Sequence, residues 1–242
     1  KDVFSKAKKR PVLKGEQKGD FYGERTDLLS YKGSAFVKIT EGCDNFCSFC
    51  AIPLIRGKLR SRPVDEIIAE IKTLLKKGVF EINLIGQDLA AYGCGKDDEG
   101  LFGKKNWHSV LYGELKKPII EEKNFIEEHG NSTLYKLVEK ITKIKGKFWV
   151  RLLYIHPDHF NTDVLELIKK DERILPYFDI PFQSGDDEII HAMNRKGSFK
   201  SYSKLVKTIR KELPDSCIRT TFLTGFPGEK EENADNTVKF LE

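Results

Sequence analysis

No stretch of the 242-residue sequence contains the roughly 18–20 consecutive apolar residues that a membrane-spanning helix requires. The first residues, KDVFSKAKKR, are basic but lack the apolar core of a secretory signal. Net positive charge is also small beyond this start. The first 20 residues contain seven Lys or Arg against three Asp or Glu, so most of the net charge of +5 lies there. The remainder is nearly neutral, which argues against a broad nucleic-acid-binding surface. We therefore expect a cytoplasmic protein without a membrane partner.

Cysteine is sparse, yet three of the five cysteines fall within EGCDNFCSFC, spaced C-x-x-x-C-x-x-C as Cys43, Cys47 and Cys50. Structural zinc sites close with four ligands, and no histidine lies near this loop. Cys94, on a later loop, could approach from the same side, so zinc stays open as an alternative. A disulfide would leave one thiol idle. Iron–sulfur clusters are the other common use of clustered thiolates. Cys217 opens a later strand at the opposite end, and we expect it to be a small buried residue.

Hydrophobic periodicity predicts an alternation of strands and helices. The spacing of apolar residues in SRPVDEIIAEIKTLLKKG is typical of an α-helix and places Ile67, Ile71, Leu74 and Leu75 on one face. Pro63 lies in the first turn of this predicted helix and Gly78 at its end. Parallel neighbouring strands require helical crossovers, so five strand–helix units in succession indicate an α/β fold with a parallel sheet. The predicted strands are 35–40, 80–88, 148–157, 174–183 and 217–229, and the predicted helices are 61–78, 132–146, 162–170, 202–213 and 231–242.

Polar or glycine residues follow each predicted strand directly. These strand ends read ITEGC, IGQD, YIHP, IPFQS and LTGFPGE. In parallel α/β sheets the active site lies at the carboxyl ends of the strands. The cysteine loop follows the first strand, so we expect it on this same face.

The cysteine loop has the form C-x-x-x-C-x-aromatic-C, with Phe49 as the aromatic residue, and resembles the signature of radical S-adenosylmethionine (SAM) enzymes. The resemblance implies a partial (βα)6 TIM-like barrel, although no sixth strand is predicted after the last helix of this chain. It also implies that Cys43, Cys47 and Cys50 hold a 4Fe–4S cluster whose open iron binds SAM. A reductant such as flavodoxin or ferredoxin would supply the electron that yields a deoxyadenosyl radical.

A closer similarity covers about residues 30–242. VKITEGCDNFCSFCAIPLIRGKLRSRP is similar to the methylthiotransferases of this superfamily. IGQDLAAYG, YFDIPFQ and RTTFLTGFPGE are similar to the branch that modifies an aspartate of a small-subunit ribosomal protein. The tRNA-modifying branch remains the alternative. A rival of another class, a zinc-stabilised RNA-binding module, would need a fourth ligand at fixed spacing and a basic folded domain.

The resemblance also implies the contacts to SAM. Gln87 and Asp88 end the second predicted strand, where the family places groups that hold the amino group, although either could hydrogen bond to its own loop instead. Gln183 ends the fourth strand. Arg195 in MNRKG could pair with the SAM carboxylate by a charge-assisted bond, or be a surface cation.

The remaining predicted contacts concern adenine and the cluster surroundings. GFPGE contains Gly225, Phe226 and Gly228. Because the two glycines have no side chain, the backbone there could approach the flat adenine ring closely. A plain turn is the other interpretation. We expect Phe49 to pack beside the cluster and adenine.

Histidines and a basic run flank these candidates. His156 and His159 in YIHPDHF either face substrate or are solvated. The basic run beside the cysteines is either a solvated loop or, through Arg62, a support of the cysteine loop. Its members are Arg56, Lys58, Arg60 and Arg62.

The domain organisation is expected to be a leader at 1–32 and a radical SAM core at 33–242 with a long insertion at 93–131. The chain begins with Lys1 rather than Met, which suggests a piece of a longer protein. Complete methylthiotransferases carry an N-terminal domain with a second 4Fe–4S cluster and a C-terminal β-barrel domain that binds substrate, and neither is recognisable here. We therefore expect this chain alone to cleave SAM without completing sulfur insertion.

Overall fold

The computed structural model describes residues 32–95 and 131–242 of the chain. The predicted leader, and the predicted insertion apart from its edges, lie outside the described residues. Along the described ranges, no helix combines the length and apolar character needed to cross a bilayer.

Strands and helices alternate through most of the described chain. The strands are β1 Ser34–Lys38, β2 Thr40–Glu41, β3 Arg60–Ser61, β4 Glu81–Ile85, β5 Trp149–Leu152, β6 Ile174–Asp179 and β7 Cys217–Arg219. The helices are α1 Ile52–Ile55, α2 Val64–Lys76, α3 Thr133–Thr142, α4 Val164–Lys170, α5 Asp187–Ala192, α6 Phe199–Glu212 and α7 Glu231–Leu241.

Five of the strands form one parallel sheet in the order β1-β4-β5-β6-β7. The sheet order follows the sequence order of these five strands, with helices in each connection. This is the arrangement expected for a partial TIM-like barrel, and it confirms the predicted fold class. Within residues 32–95 and 131–242, no sixth strand follows α7.

The core lies between the outer face of the sheet and the helices. In α2, Ile67 and Ile71 are fully buried and Leu74 is nearly so, which is the face predicted from the 3.6-residue period. They pack with Val37 of β1 and Leu84 of β4, which are paired in register. Burial of each such side chain contributes about 1.5–3 kcal/mol, so this interface orients β1, whose carboxyl end leads to the cysteine loop.

Several local elements were not predicted. β2 and β3 pair as a small antiparallel hairpin whose connection contains the cysteine loop and α1. α5 is a single short helix in the segment that follows β6. These elements are too short to show periodicity, but they shape the candidate site.

The prediction for Cys217 is wrong in one respect. Cys217 does open the last strand of the sheet, as expected, but its side chain is exposed rather than buried. Among the described residues β7 is an edge strand, paired on one side with β6. The neighbouring Ile218 points the other way and packs against the core.

Candidate functional site

The cysteine loop begins with a glycine whose backbone excludes any side chain. Gly42 has φ +75°, and a Cβ built there would lie 2.1 Å from the carbonyl oxygen of Lys58. The next amide, that of Cys43, donates to the carbonyl of Gly57 at 3.2 Å. The loop therefore doubles back against the strand that leads into β3, and this close approach requires glycine.

We predict that Gly42→Ala destabilises the protein strongly. The left-handed backbone costs about 1–2 kcal/mol for a residue with a Cβ, and displacement of the Lys58 carbonyl adds about 1–3 kcal/mol. Urea unfolding measures the sum. Gly78→Ala is the matched control, because Gly78 also has positive φ, +86°, but no atom lies within 4 Å of its built Cβ. Equal losses in the two variants would show that the close approach is unimportant.

Hydrogen bonds to main-chain carbonyls attach the middle of the cysteine loop to the end of α5 and the residues just after it. The amide of Ser48 donates to the carbonyl of Met193 at 3.1 Å, and its hydroxyl donates to the carbonyl of Ala192 at 2.9 Å. The amide side chain of Asn194 donates to the carbonyl of Phe46 at 2.9 Å. The loop is thus held from outside, independently of anything its cysteines bind.

All three clustered cysteines border one cavity of about 160 Å³ at the carboxyl end of the sheet. Four of the residues predicted to contact SAM border it as well, namely Phe49, Gln87, Gln183 and Arg195. A neighbouring cavity of about 390 Å³ shares part of this lining with the first: Cys43, Cys50, Gln87 and Tyr154. The structure therefore brings together groups that are more than 150 residues apart in sequence.

Two buried polar atoms of the lining residues have no hydrogen-bond partner among the described residues. They are Oε1 of Gln87 and Nε of Arg195. A buried polar group without a partner costs about 1–3 kcal/mol, so each one calls for an explanation such as a functional role or a bound water or ion. The acceptor of Gln87 and the donor of Arg195 match an ammonium and a carboxylate, the two polar groups of an amino-acid ligand.

Arg195 is buried, so its interpretation as a surface cation is wrong. Its side chain is 5% exposed, and Nη1 donates to the carbonyl oxygens of Pro181 at 2.7 Å and Phe182 at 3.2 Å. The guanidinium carbon lies 5.9 Å from the centre of the Phe49 ring. These contacts fix a positive charge at the wall of the cavity.

Asp88 faces the protein rather than either cavity. Its carboxylate is 1% exposed and accepts from the amides of Ala90 at 3.0 Å and His156 at 3.3 Å. It also accepts from the Asn45 side chain at 2.9 Å. Asp88 thus joins the segment after β4 to the cysteine loop and to the segment after β5. A direct contact of Asp88 with SAM stays a prediction.

The GFPGE loop lies outside the lining of both cavities. Gly225 and Gly228 have positive φ, with no atom within 4 Å of a built Cβ. The amides of Gly225 and Phe226 donate to the Glu229 carboxylate. The loop forms a turn open to its surroundings, and its contact with adenine stays a prediction.

Backbone strain is concentrated around the cavity. The non-glycine residues with positive φ in the described ranges are Phe46, Tyr154, Gln183 and Asn194. The first three line the cavity, and Asn194 is bonded to Phe46. Such conformations cost about 1–3 kcal/mol each and persist where the surroundings enforce them, typically at functional sites. Because none of these residues is a glycine, nothing in the sequence indicated that their φ angles are positive.

Burial favours the protonated form of the Cys43 and Cys47 thiols because it raises the pKa of each. It raises the pKa of Cys43 to about 12. It also raises the pKa of Cys47, against the opposing effect of the nearby Arg195 guanidinium. Metal binding must displace these protons, so the affinity for iron should increase with pH.

The thiol geometry argues against a single zinc ion. Sulfurs around tetrahedral zinc lie about 3.8 Å apart, given a Zn–S distance of about 2.3 Å. Among the described residues, the one trio of ligand atoms within 4.8 Å of one another is Asp88, His156 and His159, with no cysteine included. The Cys94 thiol contacts the carbonyl of Tyr92 at 3.9 Å and borders neither cavity.

The basic run divides between solvent and the interior. Arg56 and Lys58 are exposed, as expected of a solvated loop. Arg62 is 6% exposed, ion-paired with Glu70, and donates to the carbonyl of Lys38 at 3.4 Å. Arg62 therefore supports the hairpin that frames the cysteine loop.

A five-stranded parallel α/β sheet with three thiols gathered beside its carboxyl edge matches the architecture predicted for a radical SAM enzyme. The chain belongs to the radical SAM superfamily, which residues 37–241 match. Solved structures agree on the fold. The cobalamin-dependent radical SAM enzyme OxsB gives a TM-score of 0.59 at 14% identity, over 87% of this chain and 26% of that chain. TsrM from Kitasatospora setae, a radical SAM methyltransferase, gives 0.54 at 14% identity, over 86% of this chain and 34% of its own.

Several curated relatives carry the name ribosomal protein uS12 methylthiotransferase RimO. The protein from Treponema denticola is 51% identical over 226 residues, which cover 90% of this chain and 44% of the relative. That from Dictyoglomus thermophilum is 42% identical over 214 residues, 88% of this chain and 41% of the relative. The chain thus spans less than half the length of these relatives.

Proposed function

We propose that this chain is the radical SAM core of a methylthiotransferase that acts on an aspartate of ribosomal protein uS12. One observation supports the radical SAM chemistry above all others. Three thiols border one cavity together with Gln87, whose buried Oε1 is unpaired, and Arg195, whose buried Nε is unpaired among the described residues. The names of the curated relatives support the substrate.

The cavity residues fit a 4Fe–4S cluster and SAM. Cys43, Cys47 and Cys50 would hold the cluster, leaving one iron for the amino and carboxylate groups of SAM. Arg195 would pair with that carboxylate and Gln87 would accept from the amino group. When bound, the cluster and SAM supply one-electron cleavage of a carbon–sulfur bond. The protein's part is to orient SAM and exclude water.

Gln183 would contribute through a fixed backbone. Its φ is +70°, its amide donates to the carbonyl of Thr221 and its carbonyl accepts from the amide of Leu223. Both bonds link the carboxyl end of the β6 segment to the chain beyond β7. This arrangement aims the Gln183 side chain at the cavity and keeps it there.

The partners follow from this assignment. The substrate would be uS12, the electron donor flavodoxin or ferredoxin, and the compartment the cytoplasm. Three stretches separate this branch from the tRNA-modifying branch, IGQDLAAYG, YFDIPFQ and RTTFLTGFPGE, and the curated relatives favour the same branch.

Formation of deoxyadenosine tests the radical SAM assignment. The chain, reconstituted anaerobically with iron and sulfide and given SAM and dithionite, should release deoxyadenosine and methionine. Cys50→Ala should release neither above background, because the electron donor would be gone. Equal yields from the two proteins would refute the assignment.

Transfer of deuterium tests the substrate. With the core joined to a substrate-binding domain of the family, uS12 prepared with deuterated aspartate should pass deuterium into deoxyadenosine, which mass spectrometry detects. Unlabelled uS12 with tRNA deuterated in its adenosines is the paired sample. Label arriving from the tRNA instead would move the assignment to the tRNA-modifying branch and leave the radical SAM chemistry intact.

A further inference from the structure

A buried histidine contacts one of the cluster cysteines. His156 lies just beyond β5 and is 8% exposed. Its Nε2 is 3.8 Å from Sγ of Cys47, a distance typical of hydrogen bonds to sulfur. Its backbone amide donates to Asp88 at 3.3 Å, so the residue is anchored from behind as well.

The other ring nitrogen determines which atom carries the proton. Nδ1 of His156 accepts from the backbone amide of Asp158 at 3.3 Å. Asp158 is itself fixed, because it accepts from the Tyr202 hydroxyl at 2.7 Å and from the Lys196 amide at 2.8 Å. A neutral imidazole has one N–H. Since Nδ1 is the acceptor, Nε2 bears the hydrogen and points it at sulfur.

A cation site is the competing interpretation, since ligand atoms of Asp88, His156 and His159 lie within 4.8 Å of one another. Protein donors and acceptors already occupy these atoms. The Asp88 carboxylate accepts from Ala90, His156 and Asn45. His159 Nε2 is bonded to Asn45 Oδ1, and His156 Nε2 is on Cys47. The trio is therefore a hydrogen-bond network that supports the cysteine loop.

We propose that His156 is a positioning residue that donates an Nε2–H bond to the Cys47 thiolate and so raises the reduction potential of the cluster. This rests on the proposed cluster ligation. Reduction places additional negative charge on the cluster and its sulfurs, and a donor to a thiolate stabilises that charge most in the reduced state. Hydrogen bonds to cluster sulfurs and the shielding from water are recognised determinants of potential. The bond lies in the interior, where electrostatic effects are strong.

A redox titration of the reconstituted 242-residue chain, followed by the EPR signal of the reduced cluster without SAM, tests this. His156→Phe keeps a ring but removes the donor. At the midpoint potential of the wild-type cluster, the His156→Phe variant should show a ratio of reduced to oxidised cluster about tenfold lower. This corresponds to a midpoint about 59 mV more negative for a one-electron couple. His156→Gln can place an amide N–H near the former Nε2 and should restore most of the ratio. His156→Asn, too short to reach Sγ, should behave like the Phe variant.

His159→Phe is the control within the same network. His159 stacks on His156 with ring centres 5.1 Å apart, but it bonds to Asn45 rather than to sulfur, so its midpoint should stay near the wild-type value. Iron content and the EPR line shape establish first that each protein holds a cluster. If the wild-type chain holds none, the proposed ligation fails rather than this inference. If His156→Phe binds no iron, the comparison of His156→Gln with His156→Asn decides. Unchanged midpoints, or an equal shift on replacing His159, would overturn the inference.

Discussion

Replacing any one of Cys43, Cys47 and Cys50 with alanine should abolish the iron bound after anaerobic reconstitution. The three thiols border the same cavity, and a cubane that has already left one iron to SAM has no spare protein ligand. With two thiolates remaining, the cluster should be lost or converted to adventitious iron removed by gel filtration. Iron and sulfide analysis, with the absorbance of the brown protein, measures the effect.

Cys94→Ala and Cys217→Ala are the matched controls and should each retain about four irons per chain. The Cys94 thiol is directed to a backbone carbonyl, and Cys217 is exposed on β7 at the other end of the sheet. Iron loss in the Cys94 variant would contradict the three-ligand assignment and restore a four-ligand site. Circular dichroism of every apoprotein would separate ligand loss from unfolding.

Arg195→Ala should weaken SAM binding by about 1.5–3 kcal/mol, the usual range for a hydrogen bond to a charged group. The dissociation constant would rise about 10- to 150-fold. The reason is geometric as well as electrostatic. Arg195 is the sole Arg or Lys among the residues that line the cysteine cavity in the described part of the chain, and Phe49, Pro181 and Phe182 hold its guanidinium in place. Equilibrium dialysis with labelled SAM on the reconstituted protein gives the constant.

Arg56→Ala controls for loss of a cation near the cysteine loop. Arg56 is more than half exposed and pairs with Glu41 at 3.3 Å, so SAM affinity should not change. Arg195→Lys keeps the charge but loses the planar fork, and it should recover only part of the binding. Removal of Arg195 also leaves the Pro181 and Phe182 carbonyls without a donor, so cluster content must be matched before comparison. An unchanged constant in Arg195→Ala would exclude a carboxylate contact.

Regular features of the fold could be predicted from the sequence because each leaves a periodic signal. The buried face of α2, with Ile67 and Ile71, repeats at helical spacing. The parallel order of the sheet follows from alternation of strands and helices, and Gly78, with φ +86°, ends α2 as expected. The cysteine cluster was recognisable from spacing alone, since three thiols on one tight loop already constrain what they can bind.

The remaining features depend on contacts distant in sequence, for which no local signal exists. In the sequence Arg195 cannot be told from a surface cation; the fold buries it beside the ring of Phe49. The bonds that Asp88 accepts from Asn45 and His156 likewise join distant parts of the chain. The bond from His156 to Cys47 joins residues 109 positions apart. The positive φ of Tyr154 and Gln183 could not be predicted, because neither residue is a glycine. Each follows from the packing of loops, where periodicity carries no information.

The attachment of the cysteine loop to α5 and to the segment before β3 has a consequence for repair. Backbone carbonyls of Met193, Ala192 and Gly57 accept hydrogen bonds from the loop, so protein contacts as well as metal ligation would hold its shape. A cluster destroyed by oxygen would leave behind a folded chain with its thiols still gathered at the cavity. Burial favours the protonated form of the Cys43 and Cys47 thiols, which is slow to oxidise. We therefore expect the apoprotein to take up iron and sulfide again without first having to refold the cysteine loop.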